Sequence, residues 1–516
     1  MTYNKELLKM RQLAGYVACG ALLIGVGYAQ FGRGAAEWST PGGDAHRSSW
    51  IRFDAKINTD SVAKGGMAFL WKQKLNNTAL QLNSLSNMAI TERYIGYRGF
   101  RSLGYVGGSS DMVFAFDTDL GRVEWQKRIS STTPTAGPSA NCPGGMTANV
   151  TRPVTTAFPA APGQGGAPTF GGGRGGPAKS GVGDPLKGAV TLANQPEQRG
   201  FPPQQAANRK KGGAAPAGGP PRRQPNYLYA LSSDGLFHSM YISNGDEPKP
   251  AVPFIPANAN AGGLTVIDGW AYVATMNGCG GVPDGIRAMD IESGKVTKWV
   301  SSSGSIAGEA GPAFGPDATI YAATAKGDLV AIDSEKLTTK ATYSAGSPLV
   351  SSPVLFQMKD KTLLAVTAAD GNIHIVDTAS LSAPLSKTAA NAKGPLSSWQ
   401  DPSGARWLLS ATANNITAWK VSESGSLDRG WSSLEMNAPA TPSIVNGVIF
   451  ALSTGFANRS AAVLYALDSA TGKDIWNSGK TMTSFVHGGH ISGGASQLYI
   501  GTHDSTVYAF GFPIEH

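Results

Sequence analysis

Three histidines near the C-terminal end are the first residues whose types could do chemistry. The stretch "VHGGHISGGASQLYIGTHD" contains His487, His490 and His503. Imidazole nitrogens bind zinc and copper, so a pair of histidines with a third could form a metal site. However, the Gly-Gly spacer fixes no helical face, and no cysteine lies close in the sequence. We therefore favour polar residues that line a funnel or cap loops over a metal site.

Two cysteines lie far apart in glycine-rich stretches, Cys142 in "NCPGG" and Cys279 in "NGCGG". An exported protein of this size can join two cysteines in one disulfide, since an exposed free thiol would be a liability there. We predict the Cys142–Cys279 bridge, and the alternative is two separate buried thiols. The sequence contains no C-x-x-C-H motif for covalent haem and no G-x-S-x-G motif of a serine hydrolase.

The N-terminal segment has the features of an export signal. Basic residues precede an apolar run at 15–29, which ends in Gly27-Tyr28-Ala29 before Gln30. The run is shorter than the roughly 20 residues that span a bilayer, so we predict a cleaved signal peptide at 1–29 and a periplasmic or secreted mature chain. An uncleaved anchor and a lipoprotein cut before Cys19 are the alternatives, and Tyr16 is a poor residue for the latter.

A recurring segment must position these residues. The stretch "LYALDSATGKDIW" has weaker copies in "VFAFDTDLGRVEW" and "IRAMDIESGKVTKW". After one long first gap, the copies recur every 43 to 49 residues. Eight copies at this period predict an all-β, eight-bladed β-propeller in which each copy is a four-stranded blade. The anchors of the copies are Ala115, Ser239, Ala288, Ala331, Ile375, Ala418, Ala466 and Ala509.

Each copy combines a turn with an outer strand. Asp468 can cap the turn with its carboxylate, and Gly472 can adopt a positive φ. The outer strand then carries a tryptophan that can pack on the next blade. The predicted blade-packing residues are Trp71, Trp125, Trp299, Trp431 and Trp476.

The ends of the chain predict how the ring closes. The last copy stops at "VYAFGFPIEH" without an outer strand, whereas "MAFLWKQKL" at Met67–Leu75 is an outer strand without a preceding copy. We predict that this N-terminal strand completes the last blade, because closure removes open sheet edges.

The "ALD-x-x-TG-K-x-x-W" signature resembles the repeat of the pyrroloquinoline-quinone (PQQ) propeller superfamily, which includes quinoprotein alcohol dehydrogenases and the outer-membrane assembly lipoprotein. "EWSTPGGDAHRSSW" followed by "FLWKQKL" also resembles the entry segment of quinoproteins. The resemblance implies PQQ and calcium as candidate cofactors. The enzymes carry two adjacent cysteines near the quinone, whereas here Pro143 follows Cys142. We found no motif for the catalytic Asp or for the calcium ligands.

A Gly/Pro/Ala-rich insert occupies residues 158–225, within the second copy. It holds nine basic and two acidic residues, so most of the net charge of +8 lies in it and the rest of the mature chain is near neutral. Such a composition predicts a disordered, solvated loop. Its arginines could also touch nucleic acid or anionic surfaces, but we predict no nucleic-acid partner.

Residues at or just before the inner strands of a propeller can face its central funnel. The candidates for ligand binding there are Arg152, Glu309, Trp399, His487 and His490, although any one of them can be merely solvated. We therefore expect a monomeric platform that binds a protein or a small molecule at its rim or funnel. The alternative is a PQQ- and calcium-dependent dehydrogenase of alcohols or sugars.

Overall fold

The computed structural model describes residues 38–96, 99–158, 227–457, 459–488 and 491–513. The predicted signal peptide at 1–29, His490 and all of the insert after Phe158 lie outside these residues. The described chain is almost entirely β-structure, with one short helix, α1 (Thr59–Ala63). No helix within the described ranges is long and apolar enough to cross a membrane.

The strands form eight sheets, so the predicted eight-bladed propeller is confirmed. In seven of these sheets the strands follow one another in chain order across the sheet, and in the eighth an N-terminal strand is added at the outer edge. The strands of the first four blades are β3 (Ala89–Gly96), β4 (Gly99–Gly108), β5 (Met112–Asp117) and β6 (Arg122–Arg128); β7 (Tyr227–Leu231), β8 (Leu236–Tyr241) and β9 (Val252–Pro253); β10 (Asn260–Ile267), β11 (Trp270–Met276), β12 (Gly285–Asp290) and β13 (Val296–Val300); and β14 (Ala313–Phe314), β15 (Ile320–Ala323), β16 (Asp328–Ile332) and β17 (Thr339–Ser344).

The second half of the ring repeats the pattern, and every predicted anchor lies on the third strand of its blade. These blades are β18 (Val354–Met358), β19 (Lys361–Thr367), β20 (Asn372–Asp377) and β21 (Ser380–Ala389); β22 (Leu396–Gln400), β23 (Arg406–Ala411), β24 (Ile416–Val421) and β25 (Leu427–Ser432); β26 (Ser443–Val445), β27 (Val448–Ser453), β28 (Val463–Asp468) and β29 (Asp474–Asn477); and β30 (Ser492–Gly494), β31 (Gln497–Thr502) and β32 (Thr506–Gly511).

The predicted closure of the ring is confirmed. The N-terminal strand β2 (Ala68–Lys74) pairs antiparallel with β32 as the outermost strand of the eighth blade. Ala68 lies opposite Gly511 and Lys74 opposite Thr506. The sheet edge that the last copy leaves open is therefore covered by the start of the chain.

The second blade differs from the others in its innermost strand. Only an isolated bridge between Thr151 and Tyr229 occupies this position. The insert begins seven residues after Thr151, and its first residue, Phe158, stacks on His46 with ring centroids 4.0 Å apart.

The outer-strand tryptophans pack on the turn of the following blade. The indole N–H groups of Trp71, Trp125 and Trp431 donate to the backbone carbonyls of Thr118, Ile242 and Ser469. Their rings cover the turn glycines Gly121, Gly245 and Gly472, where an added Cβ would lie 2.2–2.7 Å from the ring. The glycine of each such copy therefore makes room for the tryptophan of the preceding blade as well as allowing the positive φ.

A central segment, residues 38–54, runs through the middle of the ring and contacts the innermost part of every blade. It includes a two-residue strand, β1 (Trp50–Ile51), which pairs parallel with β26. Its hydrogen bonds to successive blades are Trp38–Ile90, Ser39–Arg152, Thr40–Leu264, Ala45–Phe314, His46–Leu355, Ser48–Ser398, Ser49–Ile444 and Asp54–Ser496. The segment is mostly buried, so it fills the centre of the propeller.

Candidate ligand-binding funnel

Loops between blades enclose a cavity at one end of the ring. The cavity has a larger lobe of about 510 Å³ and a smaller lobe of about 180 Å³. Both lobes are lined by Asn260, Met276, Glu309 and His487, so they meet at these residues. Drug-sized ligands occupy clefts of roughly 300–1,000 Å³, so the funnel has the size of a small-molecule site.

The central segment contributes the buried cation of the funnel, Arg47, which lines the larger lobe. Its Nε donates to the carbonyl of Pro312 at 3.0 Å, and its Nη2 donates to Oγ1 of Thr265 at 2.8 Å. Burial lowers the pKa of Arg47 to about 10, with the Asp44 carboxylate acting in the opposite direction. The guanidinium therefore stays charged at neutral pH and is held in place by uncharged oxygen atoms.

Glu309 lies between the blades at the junction of the two lobes. Its side chain is exposed to the cavity, but the protein surrounds the carboxyl, and this desolvation raises the pKa of Glu309 above its usual range. The carboxyl faces Gly488, where an added Cβ would lie 3.6 Å from Oε1. Glu309 can therefore serve as an acceptor for a ligand or as a carboxyl that titrates nearer to neutral pH.

His487 lies beside Glu309 in the lining of both lobes. Desolvation in the funnel lowers the pKa of His487, and the charge of His503 lowers it further. A neutral imidazole at this place can donate through one nitrogen and accept through the other.

The structure describes two of the three predicted metal-ligand candidates, His487 and His503. His503 shares a hydrogen bond with the carbonyl of Gln81 through Nε2 at 2.9 Å, and its ring stacks on Phe485 at 4.6 Å. Of these two, His487 lines the cavity and His503 is not among its described lining residues, whereas His490 lies outside the described chain. Within the part that the structure describes, no three His, Cys, Asp or Glu side chains converge as a metal site.

The structure separates the other predicted funnel residues. Glu309 and His487 line the cavity together, whereas Arg152 and Trp399 are not among its lining residues. Arg152 is 7% exposed and bonds the hydroxyl of Thr91 between the first two blades. Trp399 is 2% exposed and stacks on Trp407 with centroids 5.7 Å apart.

Several lining residues were missed in the sequence because they belong to no repeated pattern. Arg47 lies on the central segment, Lys393 on the loop before β22, and Ser352 on the loop before β18. Asn149 lines the smaller lobe from the loop that enters the second blade. The only signal in the sequence that could have indicated them was their place along the chain, since Lys393, Ser352 and Asn149 lie in loops that lead into the innermost position of a blade.

Cys142 and Cys279 form the predicted disulfide, with Cα atoms 5.5 Å apart. The bridge lies next to the funnel, because Ala140 and Asn141 line the cavity directly before Cys142. The Asn141 carbonyl accepts hydrogen bonds from the side-chain amides of Asn260 and Asn277. The disulfide therefore ties a loop of the funnel wall to the third blade.

Comparison with known proteins supports the same fold. A PQQ-repeat family model described as "Outer membrane protein assembly factor BamB" matches residues 282–511. No curated protein matches the chain by sequence. The eight sheets therefore define the described chain as an eight-bladed β-propeller, and residues 282–511 are similar to the PQQ repeat.

BamB and two dehydrogenases are among the solved structures that are similar to this chain. BamB from Moraxella catarrhalis matches at 13% identity and a TM-score of 0.50, over 87% of this chain and 99% of its own. Quinohemoprotein alcohol dehydrogenase from Comamonas testosteroni matches at 11% identity and 0.51, over 93% and 81%. A europium-containing methanol dehydrogenase matches at 11% identity and 0.55, over 94% and 99%. At these identities the likeness shows the fold alone.

The described lining of the funnel does not fit PQQ with calcium. Calcium takes six to eight oxygen ligands, commonly including several carboxylates, and Glu309 is the single carboxylate among the described residues that line the two lobes. Those residues also include no Phe, Tyr or Trp on which a flat quinone could stack. Cys142 is bonded to Cys279 rather than to a neighbour in sequence. No catalytic step through a quinone is therefore assigned.

Proposed function

We propose that the chain is an exported binding protein whose funnel takes a small-molecule ligand. The observation that carries the proposal is the cavity of about 510 Å³. Loops from several blades surround it, and the central segment contributes Gly42, Arg47 and Ser49 to its lining. Rigid blades that hold polar groups around such a cavity are preorganised for binding.

A location outside the cytoplasm fits this function. The N-terminal residues carry a predicted signal peptide, and the Cys142–Cys279 disulfide suits an oxidising compartment. A periplasmic or secreted protein would meet its ligand outside the cytoplasm, and a monomer would be sufficient, since one chain supplies the whole funnel.

A protein partner on the same face is the second candidate. Val350 lines the larger lobe and is 37% exposed, and Leu434 and Phe456, in the loops after β25 and β27, are 38% and 49% exposed. The family model that matches residues 282–511 is named for an assembly factor. Exposed apolar side chains on the rim would suit a docking peptide or protein.

The first test decides between binding and quinone chemistry. Purified mature protein is incubated with PQQ and calcium, desalted, and examined by absorbance and by dye-linked assays with alcohols and sugars. We expect no retained quinone and no turnover. Retained quinone with turnover would replace the proposal by the alternative, a PQQ-dependent dehydrogenase.

The second test locates the ligand site. A thermal-shift screen of small polar metabolites identifies ligands, and Val350→Trp should abolish their effect because Val350 lines the larger lobe. Val300→Trp is the matched control, since Val300 is similarly exposed at 49% but does not line the cavity. Ligands that respond equally to both variants would refute binding in the funnel.

A further inference from the structure

The two lobes of the funnel differ in charge. Arg47 and Lys393 line the larger lobe, whereas the described lining of the smaller lobe contains no lysine or arginine. Glu309 lies at the junction of both. A ligand that enters the funnel therefore meets a basic end and an end where the only charged side chain is a carboxylate.

The smaller lobe also offers a hydrogen-bond acceptor. Asn83 lines this lobe and donates its amide hydrogens to the carbonyls of Gly144 and Met146. Since the amide nitrogen is committed to backbone, its oxygen atom remains as an acceptor for a donor on a ligand.

The larger lobe combines fixed positive charge with an apolar wall. Lys393 is exposed, and its ammonium makes no ion pair within the described residues. Arg47 adds a charge that its hydrogen bonds to the central segment and to Thr265 hold in place. Met276, Ile306 and Val354 supply aliphatic surface, and the described lining includes no Phe, Tyr or Trp on which a flat ring could stack.

We propose that the funnel binds a small aliphatic zwitterion of the amino-acid or dipeptide class. Its ammonium lies in the smaller lobe, where the Glu309 carboxylate accepts hydrogen bonds. Its carboxylate lies in the larger lobe beside Lys393, within the field of Arg47, and its side chain contacts the aliphatic wall. This inference rests on the proposed function, because it names the class of ligand that the funnel takes.

The test uses the full mature protein and titration calorimetry with L-leucine and L-leucyl-glycine. N-acetyl-L-leucine lacks the ammonium, L-leucinamide lacks the carboxylate, and calcium chloride is a separate arm. We expect binding of the zwitterions and a loss of roughly 10- to 100-fold in affinity for each blocked derivative, since each removes one charge-assisted contact.

Two variants assign the ends of the ligand. Glu309→Gln should reduce the affinity for the zwitterion and leave the N-acetyl derivative little changed, because that derivative makes no ammonium contact. Lys393→Met should also reduce the affinity for the zwitterion, but it should leave the affinity for L-leucinamide little changed, because the amide has no carboxylate to contact Lys393. Lys298→Met is the matched control, since Lys298 is an exposed lysine on the outer strand β13 and should leave all affinities unchanged.

Equal binding of parent and blocked compounds, or binding of calcium alone, would overturn the inference. If no zwitterion binds but another small molecule binds and is sensitive to Val350→Trp, the class of ligand is wrong and the binding function stands. Quinone retention with turnover would instead reject the binding function itself.

Discussion

At the scale of single residues, one cluster has the contacts of a hydrolase triad but the burial of a structural network. Ser232 Oγ lies 3.0 Å from Nε2 of His238, and Nδ1 of His238 lies 3.2 Å from Oε2 of Glu247. Ser232 and His238 are only 2% and 3% exposed. Asp234 also accepts a hydrogen bond from the Ser232 hydroxyl. A nucleophile must reach its substrate, so we assign this cluster to the stability of the second blade.

We expect Ser232→Ala to destabilise the protein by about 1–3 kcal/mol, because it leaves buried polar groups of His238 and Asp234 without their partner. Denaturant unfolding measures the change. Ser424→Ala, an exposed serine in a turn of the sixth blade, is the control and should change the free energy of unfolding by less than about 0.5 kcal/mol. An unchanged midpoint for Ser232→Ala would show that the network contributes no stability.

At the scale of the elements, the repeat could be predicted because strand, turn and tryptophan recur with the blade. The anchors Ala115 and Ala466, far apart in the sequence, both lie on third strands. The winding of the central segment could not be predicted, because it follows no period and its hydrogen bonds go to a different blade at nearly every step. Arg47 belongs to this segment, so the repeat could not predict that its positive charge lines the funnel.

The predicted funnel residues show the same limit. All four residues were predicted because they lie close to an innermost strand. Glu309 and His487 line the cavity, whereas Arg152 and Trp399 pack against other side chains instead. Glu309 and His487 lie in the loops before β14 and β30, whereas Trp399 lies on the innermost strand β22 itself. Both faces of a blade pack against neighbouring blades, so a side chain on the strand is buried there, and the repeat does not show where the loop ends and the strand begins.

The turn glycines allow the contact with tryptophan to be separated from backbone strain. Gly472 has φ +71°, and an added Cβ would lie 2.2 Å from the ring of Trp431. Gly294, in the corresponding turn of the third blade, has φ +70° with nothing within 4 Å, since the described outer strand of the second blade, β9, carries no tryptophan. We expect Gly294→Ala to cost about 1 kcal/mol from φ alone.

Gly472→Ala should cost about 1–3 kcal/mol more than Gly294→Ala, because the tryptophan must also move. Chemical denaturation of the two variants measures the difference, and the fluorescence of the tryptophans reports whether a ring has shifted. Equal losses for the two variants would mean that the turn glycines serve the backbone only and that the tryptophan contact contributes nothing.

At the scale of the whole molecule, long-range contacts hold the ring and the funnel together. The central segment joins all eight blades, the disulfide joins the loop before the second blade to the third, and β2 completes the eighth. Each contact lets residues remote in sequence share one wall of the cavity. The placement of Arg47 and Glu309 in the lining of one lobe therefore depends on an intact ring rather than on any single blade.

The closure of the ring provides the test of this dependence. Replacing residues 67–75 by a Gly-Ser linker of equal length should expose the edge of β32 and remove Trp71 from its contacts with Phe116 and Thr118. We expect a loss of stability on the order of 3–5 kcal/mol, as for other deletions of a packed tryptophan, and a tendency to aggregate. Melting temperature and light scattering measure both effects.

A second variant distinguishes the loss of a strand from a disturbance of the N-terminal region. This variant keeps the Gly-Ser linker at 67–75 and adds a copy of residues 67–75 after the last residue, through a short Gly-rich turn. Because Ala68 lies opposite Gly511 in the antiparallel pair, the appended strand can fold back on β32 in the native register. We expect this variant to regain most of the lost stability and any ligand affinity of the funnel. If the linker variant alone stays monomeric with an unchanged melting temperature, pairing of β2 with β32 does not close the ring.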